Sequence, residues 1–301
     1  MGKVSGAILI TGASTGIGRA CALELARLGY DVFAGVRSRE AGDALRAVGG
    51  ERIKPLTLDV TNTSQISAAL QIIEEQTRGR GLRALVNNAG IAVPGPLEIV
   101  PIADLRRQLD VNTIAAVAMT QAALPLLRRA PRPATIVNMS SISGRFSMPL
   151  LGAYAASKYA LEAISDALRL ELRPWGIRVV IIEPGQIATP IWEKTLRATM
   201  QSLEAMPTAQ VAPYQPLIDM VSAQVHPGMG IPAERVVRVV TRAITARHPR
   251  ARYVVGIDAR VQLVLACLPT WLRDWLLARA LPPFGDVAEA AHPRVPHNSP
   301  M

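Results

Sequence analysis

The chain has 301 residues, half of them hydrophobic and 19% charged, enough apolar material for one large or two small domains and too little charge for a disordered chain. Its net charge is +10, but the arginines are scattered and aromatics make up only 4%, so no nucleic-acid surface is expected. Cys21 and Cys267, and the four histidines, show neither disulfide nor metal-ligand spacing, so no metal site is expected and a reducing, cytoplasmic setting is inferred.

In chain order, Ala7 to Ile10 is a short apolar run that predicts the first strand. It is too short for a secretory signal, and no apolar run reaches the length of a membrane span, so no transmembrane segment is expected. Thr11-Gly12-Ala13-Ser14-Thr15-Gly16-Ile17-Gly18 follows, then a helical pattern with Ile17, Cys21, Leu25 and Leu28 on one face and Gly29 as its stop. A glycine-rich turn between a buried strand and a helix suits a phosphate. Glycine lets the backbone come close, and the helix N-terminus offers N–H donors and partial positive charge. Asp31 to Val36 predicts the second strand, and Ile53 to Val60 a third that ends at Asp59-Val60. Thr63 or Ser64 caps a helix with Ile66, Leu70 and Ile73 inward.

A fourth strand opens at Ala84 and runs into Asn87-Asn88-Ala89-Gly90. One long helix is expected over Ala103 to Ala130, with Asn112 in its middle and a kink at Pro125. Thr135 to Met139 is a fifth strand ending at Ser140-Ser141. A helix carrying Tyr154 and Lys158 runs to about Arg173, and Arg178 to Glu183 is a sixth strand ending at Pro184-Gly185. Strands that are nearly all apolar, alternating with helices, predict a parallel sheet covered on both faces. The expected fold is α/β: a Rossmann-like, doubly wound, seven-stranded sheet with ligands at the strands' carboxyl ends.

After Thr189 the pattern loosens. Residues 190–230, rich in Pro and Met with two expected short helices, overhang the carboxyl edge as a substrate lid, Met200, Met206, Met220 and Met229 being either an adaptable lining or gap-filling packing. Ile231 to Ala246 predicts an amphipathic helix and Tyr253 to Gly256 the seventh strand, closing one catalytic domain over residues 1–260. The C-terminal helical extension, 261–301, holds Trp271 and Trp275 with basic flanks. Its apolar part, 261–284, packs on the body or makes a peripheral membrane contact, and a disordered end is expected beyond Gly285.

Tyr154 and Lys158 are four residues apart on one helix, so phenol and ammonium share a face. Together with Thr11-Gly12-x-x-x-Gly16-Ile17-Gly18, Asp59, Asn87-Asn88-Ala89-Gly90, Asn112, Ser141 and Pro184-Gly185 with Thr189, this pair resembles the short-chain dehydrogenase/reductase family over residues 5 to 257. The resemblance implies hydride transfer between a nicotinamide cofactor and an alcohol or carbonyl. Tyr154 is then the acid/base, its pKa lowered by Lys158, and Ser141, rather than its neighbour Ser140, holds the substrate oxygen. Lys158 also reaches the nicotinamide ribose, and Asn112 anchors a water behind it. Gly12, Ser14, Thr15, Gly16, Ile17 and Gly18 cradle the cofactor. Asp59, with Val60, meets the adenine, Thr189 meets the carboxamide, and Asn88, Ala89, Gly90, Pro184, Gly185 and Ile187 line the site.

The second strand ends in Val36-Arg37, with no acid until Glu40. Arg37 suits a 2′-phosphate, so NADP is expected, with NAD as the alternative; Thr15, where many NADP-preferring members carry a basic residue, speaks the other way. The stretch Phe33 to Arg37 and the long C-terminal extension are similar to the branch holding retinol and 17β-hydroxysteroid dehydrogenases. That implies a bulky hydrophobic alcohol or carbonyl substrate and a homodimer or homotetramer paired through the helices of Asn112 and Tyr154.

Overall fold

A strand with no polar face must be covered on both sides, and helices on both faces of a parallel sheet do this. The computed structural model describes residues 6–130, 133–189, 191–204, 206–224 and 228–282. Seven strands form one parallel sheet: β1 (Ala7–Ile10), β2 (Asp31–Val36), β3 (Ile53–Thr57), β4 (Leu82–Asn87), β5 (Thr135–Met139), β6 (Arg178–Pro184) and β7 (Arg252–Val255). Their order is β3-β2-β1-β4-β5-β6-β7, so the direction of winding reverses at β1. The crevice between β1 and β4 is where such a sheet receives a ligand.

Alternation along the strands splits the core in two. Ile8, Ile10, Val32 and Ala34 face one side, where Cys21 and Leu25 of α1 (Gly16–Arg27), Leu45 of α2 (Arg39–Gly49) and Val236 and Val240 of α10 (Glu234–Thr245) cover them. Leu9, Phe33, Leu85 and Ile136 face the other side. There they meet Ile66 and Ile73 of α3 (Thr63–Thr77) and Met119 and Leu127 of α5 (Ala115–Arg128). Each fully buried side chain of this size contributes about 1.5–3 kcal/mol. Burial pushes the Cys21 thiol up to about 12, so it behaves as a small apolar residue.

Several boundaries differ from the expectation. β3 stops at Thr57, because Asp59 and Val60 already belong to the turn that Thr61 closes onto the Asp59 carboxylate. Asn62 caps α3, accepting a hydrogen bond from the Gln65 N–H at 3.0 Å; Thr63 and Ser64 lie inside the helix. The long helix is broken, at Asn112 and not at Pro125. α4 (Ile102–Leu109) passes into one π turn, Asp110–Ile114, before α5 begins, while Pro125 sits inside α5. A π turn inserts an extra residue into the ladder and re-aims the side chains within it. The combined stretch Ile102–Arg128 is also long and apolar enough to cross a membrane, which the sequence reading did not recognise. Here 44% of its apolar window is buried, and Met119 and Ala123 are core residues.

After β6 the described residues form α7 (Ile191–Glu204), α8 (Thr208–Val211) and α9 (Gln215–Gln224), more helix than expected. They carry their own small core of Leu203, Val211, Leu217 and Ile218 around Leu150. A cavity of about 330 Å³ lies among them, lined by Met200, Met206, Val211 and Ile218. Ile231 does not start a helix. It bridges to Ile187, tying the segment after β6 to the approach of α10. The tail forms α11 (Ile257–Ala266) and α12 (Thr270–Ala280); the end beyond Gly285 lies outside the described residues.

Candidate active site

Three loops meet at the switch point. Thr11 closes β1: its hydroxyl accepts from the N–H groups of Asn88 and Ala89, both at 3.0 Å. The Asn88 amide returns the contact, donating to the carbonyls of Thr11 (2.9 Å) and Gly12 (3.0 Å). Gly12 has a φ of +65°, and a Cβ there would stand 2.8 Å from the Ala89 Cα. Gly18 is as tightly held, because a Cβ would run into the Gly12 carbonyl and the Asn88 amide. The glycines thus bring the first turn against the Asn88–Gly90 loop. Gly16, with φ +55°, faces Thr189, whose Cβ would lie 3.4 Å from an added methyl.

Thr15 is the exposed N-cap of α1, with no side-chain capping bond and no acid in the first turn. Its first N–H groups therefore lie at a rim with no competing carboxylate, and Ser14 and Ile17 flank them. This donor set fits a dinucleotide phosphate. Arg37 is exposed at the end of β2, and its charge helps hold the Asp59 carboxyl below the usual carboxylate range, behind the stronger hydrogen bonds from Thr61. Val60 is buried beside it. Pro184 ends β6. The open side of Gly185 is taken by the carboxylate of Asp258 from α11, which also accepts from the Gln186 N–H at 2.6 Å. The tail, and not only a ligand, therefore explains that glycine.

The catalytic candidates come from the loop after β5, the π turn before α5, and α6 (Gly152–Glu171). Ser141 is the extended N-cap of a short turn, Ile142–Gly144, and its Oγ accepts from the Ser143 N–H at 3.1 Å. The Ser141 hydroxyl donates to the Pro184 carbonyl at 3.5 Å and lies close enough to the Tyr154 phenol to pull its pKa down. Ser140 turns the other way, beneath Gly144. One turn along α6 from Tyr154, the Lys158 ammonium donates to the Met139 carbonyl at 2.8 Å and lies 5.7 Å from the Tyr154 ring centroid. It also edges the Gly90 backbone, since a Cβ there would be 3.8 Å from Nζ.

Asn112 is held by three bonds. Its Oδ1 accepts from the Ile91 N–H, and its Nδ2 donates to the Ile91 carbonyl and to Ser157 Oγ, at 2.9, 2.9 and 3.0 Å. The π turn supplies the aim, placing Asn112 between the loop after Gly90 and the helix of Lys158.

The electrostatics depart from the expectation for Tyr154. Burial dominates and raises the phenol above its ordinary pKa, with the nearby Ser141 hydroxyl opposing it. Burial likewise pushes Lys158 down to about 8, opposed by Glu162. The ammonium is directed at the Met139 carbonyl, 5.7 Å from the Tyr154 ring centroid.

Sequence reading missed Trp192, at the start of α7, whose ring meets Tyr154 edge-on with centroids 6.0 Å apart. It also missed a buried amide ladder. Asn87 Nδ2 donates to Asn138 Oδ1 (2.9 Å), and Asn138 Nδ2 donates to Ser165 Oγ (2.8 Å), which fastens α6 to β4 and β5. No residue spacing announces either, because the partners are 27 to 51 positions apart or sit in the loosely patterned insertion.

Residues 6–199 match the short chain dehydrogenase family. The chain is 35% identical to human retinol dehydrogenase 16 over 282 residues, covering 90% of this chain and 87% of that protein. It is 36% identical to human 17-beta-hydroxysteroid dehydrogenase type 6, covering 91% and 88%. A Burkholderia cenocepacia short chain dehydrogenase solved with NADP superimposes with a TM-score of 0.68 at 26% identity, over 94% of this chain and all of that one. The chain belongs to the short-chain dehydrogenase family and is an NAD(P)-dependent oxidoreductase.

Proposed function

We propose that the protein uses NADP(H) to interconvert a hydrophobic alcohol, steroid-, retinoid- or lipid-like, with its ketone or aldehyde. The observation that carries this reading is the placement of Lys158, whose ammonium is held by the Met139 carbonyl, 5.7 Å from the Tyr154 ring and against the Gly90 loop, with Ser141 on the phenol's other side. When bound, the nicotinamide supplies or accepts the hydride. Tyr154 gives its proton to the substrate oxygen during reduction and takes it back during oxidation. Ser141 donates to that oxygen and holds the carbonyl; the burial of Ser140 beneath Gly144 supports this choice. Lys158 and Asn112 keep the phenol's neighbourhood cationic and rigid.

Gly12 to Gly18, Asp59, Val60, Asn88 to Gly90, Pro184, Gly185, Ile187 and Thr189 form the dinucleotide site, and Arg37 meets the 2′-phosphate. The lid over 190–230 takes the apolar part of the substrate. Trp192 against Tyr154 and the methionine-lined cavity support that assignment. The catalytic unit runs to residue 260, and subunits pair through α4, α5 and α6, where Ile102, Ile114 and Tyr159 are exposed.

The test is a ketone panel of graded size with NADPH or NADH, run beside Tyr154→Phe. The reading predicts turnover of bulky apolar ketones with NADPH and its loss in the variant. It is wrong if both proteins are equally inactive on every substrate while NADPH still binds, which would leave a non-enzymatic NADP sensor.

One observation favours an added membrane contact: Ile257, Val264 and Trp271 of the tail helices are 77%, 67% and 73% exposed, near Arg260 and Arg273. Co-sedimentation with anionic liposomes, with and without residues 261–301, tests it.

A further inference from the structure

Lys158 is buried, and the ionisable groups around it come from several elements. Tyr154, Glu162, Asp166 and Arg169 lie on its own helix. Glu183 comes from β6, Arg252 from β7 and Arg145 from beyond the turn after β5. β5 and the 88–90 loop bring no charged group, Arg83 of β4 is turned to the Pro133 and Ile244 carbonyls, and Asp110 of the π turn lies on the surface.

Glu162, one turn after Lys158, is itself almost wholly buried, with 7% of its side chain exposed, and Glu183 is at 0%. Both reach the same atom: Arg252 Nε is 3.1 Å from Glu162 Oε2 and 3.3 Å from Glu183 Oε1. Arg145 approaches Glu183 at 3.4 Å. The other oxygens, Glu162 Oε1 and Glu183 Oε2, are buried with no hydrogen-bond partner among the described residues. The same holds for Ser140 Oγ beside them; a methyl added at Gly144 would come 2.9 Å from it and 3.0 Å from Glu162 Cγ.

A purely structural tie between α6 and β7 does not need this arrangement. Asp166, 48% exposed, already pairs with Arg252 at 2.6 Å without the desolvation penalty. Burial, and then the charge of Glu162, raise Glu183 above the usual carboxylate range, with Arg145 and Arg252 opposing. The extra buried carboxylate instead stands one turn from the buried Lys158 on the same face of α6, where its charge opposes the desolvation of the ammonium.

We propose that Glu162, held by Arg252 and Glu183, is a positioning residue that keeps the Lys158 ammonium charged within the apolar site. The inference rests on the reading of Lys158 as the cation beside Tyr154, yet its test needs no turnover. The chain has four lysines, so the full-length protein labelled with [13Cε]lysine gives four titrating signals, and that of Lys158 is assigned by its loss in Lys158→Met.

The wild-type midpoint is expected near about 8. In Glu162→Gln it falls by about one pH unit or more, while Asp166→Asn, which removes the outer partner of the same Arg252, leaves it in place. A Glu162→Gln midpoint equal to that of the wild type, or an equal fall in Asp166→Asn, overturns the proposal. Should Glu162→Gln not fold, Glu162→Asp decides: drawing the carboxylate back by one methylene lowers the Lys158 midpoint, and an unmoved or higher midpoint overturns the proposal. Failure of the ketone panel alone would leave this titration result standing, so the two readings fail separately.

Discussion

Asn112→Ala should destabilise the protein as well as the reaction. Asn112 is 2% exposed, so water does not replace what its amide supplies. It makes three hydrogen bonds, accepting from the Ile91 N–H and donating to the Ile91 carbonyl and to Ser157 Oγ. At a net value of about 1 kcal/mol each, the loss is about 3 kcal/mol, with the Ile91 N–H and carbonyl left wanting partners. For a domain of this size that lowers the melting temperature by roughly 6–12 °C. Urea denaturation gives the first number and calorimetry the second. Hydrogen exchange on a peptide covering residues 85–95 adds a local reading, since the Ile91 amide should lose protection. A stability within 0.5 kcal/mol of the wild type, with Ile91 still protected, would refute the clamp and leave Asn112 to the chemistry alone.

Three further outcomes are expected. Gly18→Ala drives a methyl into the Gly12 carbonyl and the Asn88 amide, neither of which is a flexible side-chain end, so it should lose about 1–3 kcal/mol and weaken NADPH binding, read by melting and nucleotide fluorescence. Lys158 is pushed below its unfolded value, so between pH 8 and 10 the unfolded chain holds a proton that the folded chain has released; wild-type stability should rise across that window relative to Lys158→Met, by about 2 kcal/mol, in denaturant melts at four pH values. A difference that shrinks or stays flat contradicts the buried, depressed ammonium. Arg37→Glu removes a charge-assisted partner for a 2′-phosphate and adds repulsion, so the NADPH-to-NADH preference in kcat/KM should fall by roughly 10- to 100-fold, and an unchanged ratio rejects that role for Arg37.

Much of the framework is local, and local signals are legible. β1, β2 and β5 fall where their apolar runs lie, because a buried parallel strand must be continuously apolar. The glycine turn, Asn87 to Gly90 and the Tyr154–Lys158 pair are short motifs whose spacing is itself the geometry. Legibility ended where partners were distant in the chain. The break at Asn112 follows from bonds to Ile91 and Ser157, 21 and 45 positions away, whereas the local signal pointed to Pro125. Asn62 took the cap of α3 from Thr63 because the preceding turn, closed by Asp59, set where the helix begins.

Sequence alone determined the fold class and the family, since periodicity and motif spacing act over a few residues. Tertiary structure alone decided the environment of the side chains at the site. Desolvation and charge depend on everything that packs around a group, and so the raised Tyr154, the lowered Lys158 and the buried carboxylates of Glu162 and Glu183 emerged only when α6, β6 and β7 were brought together.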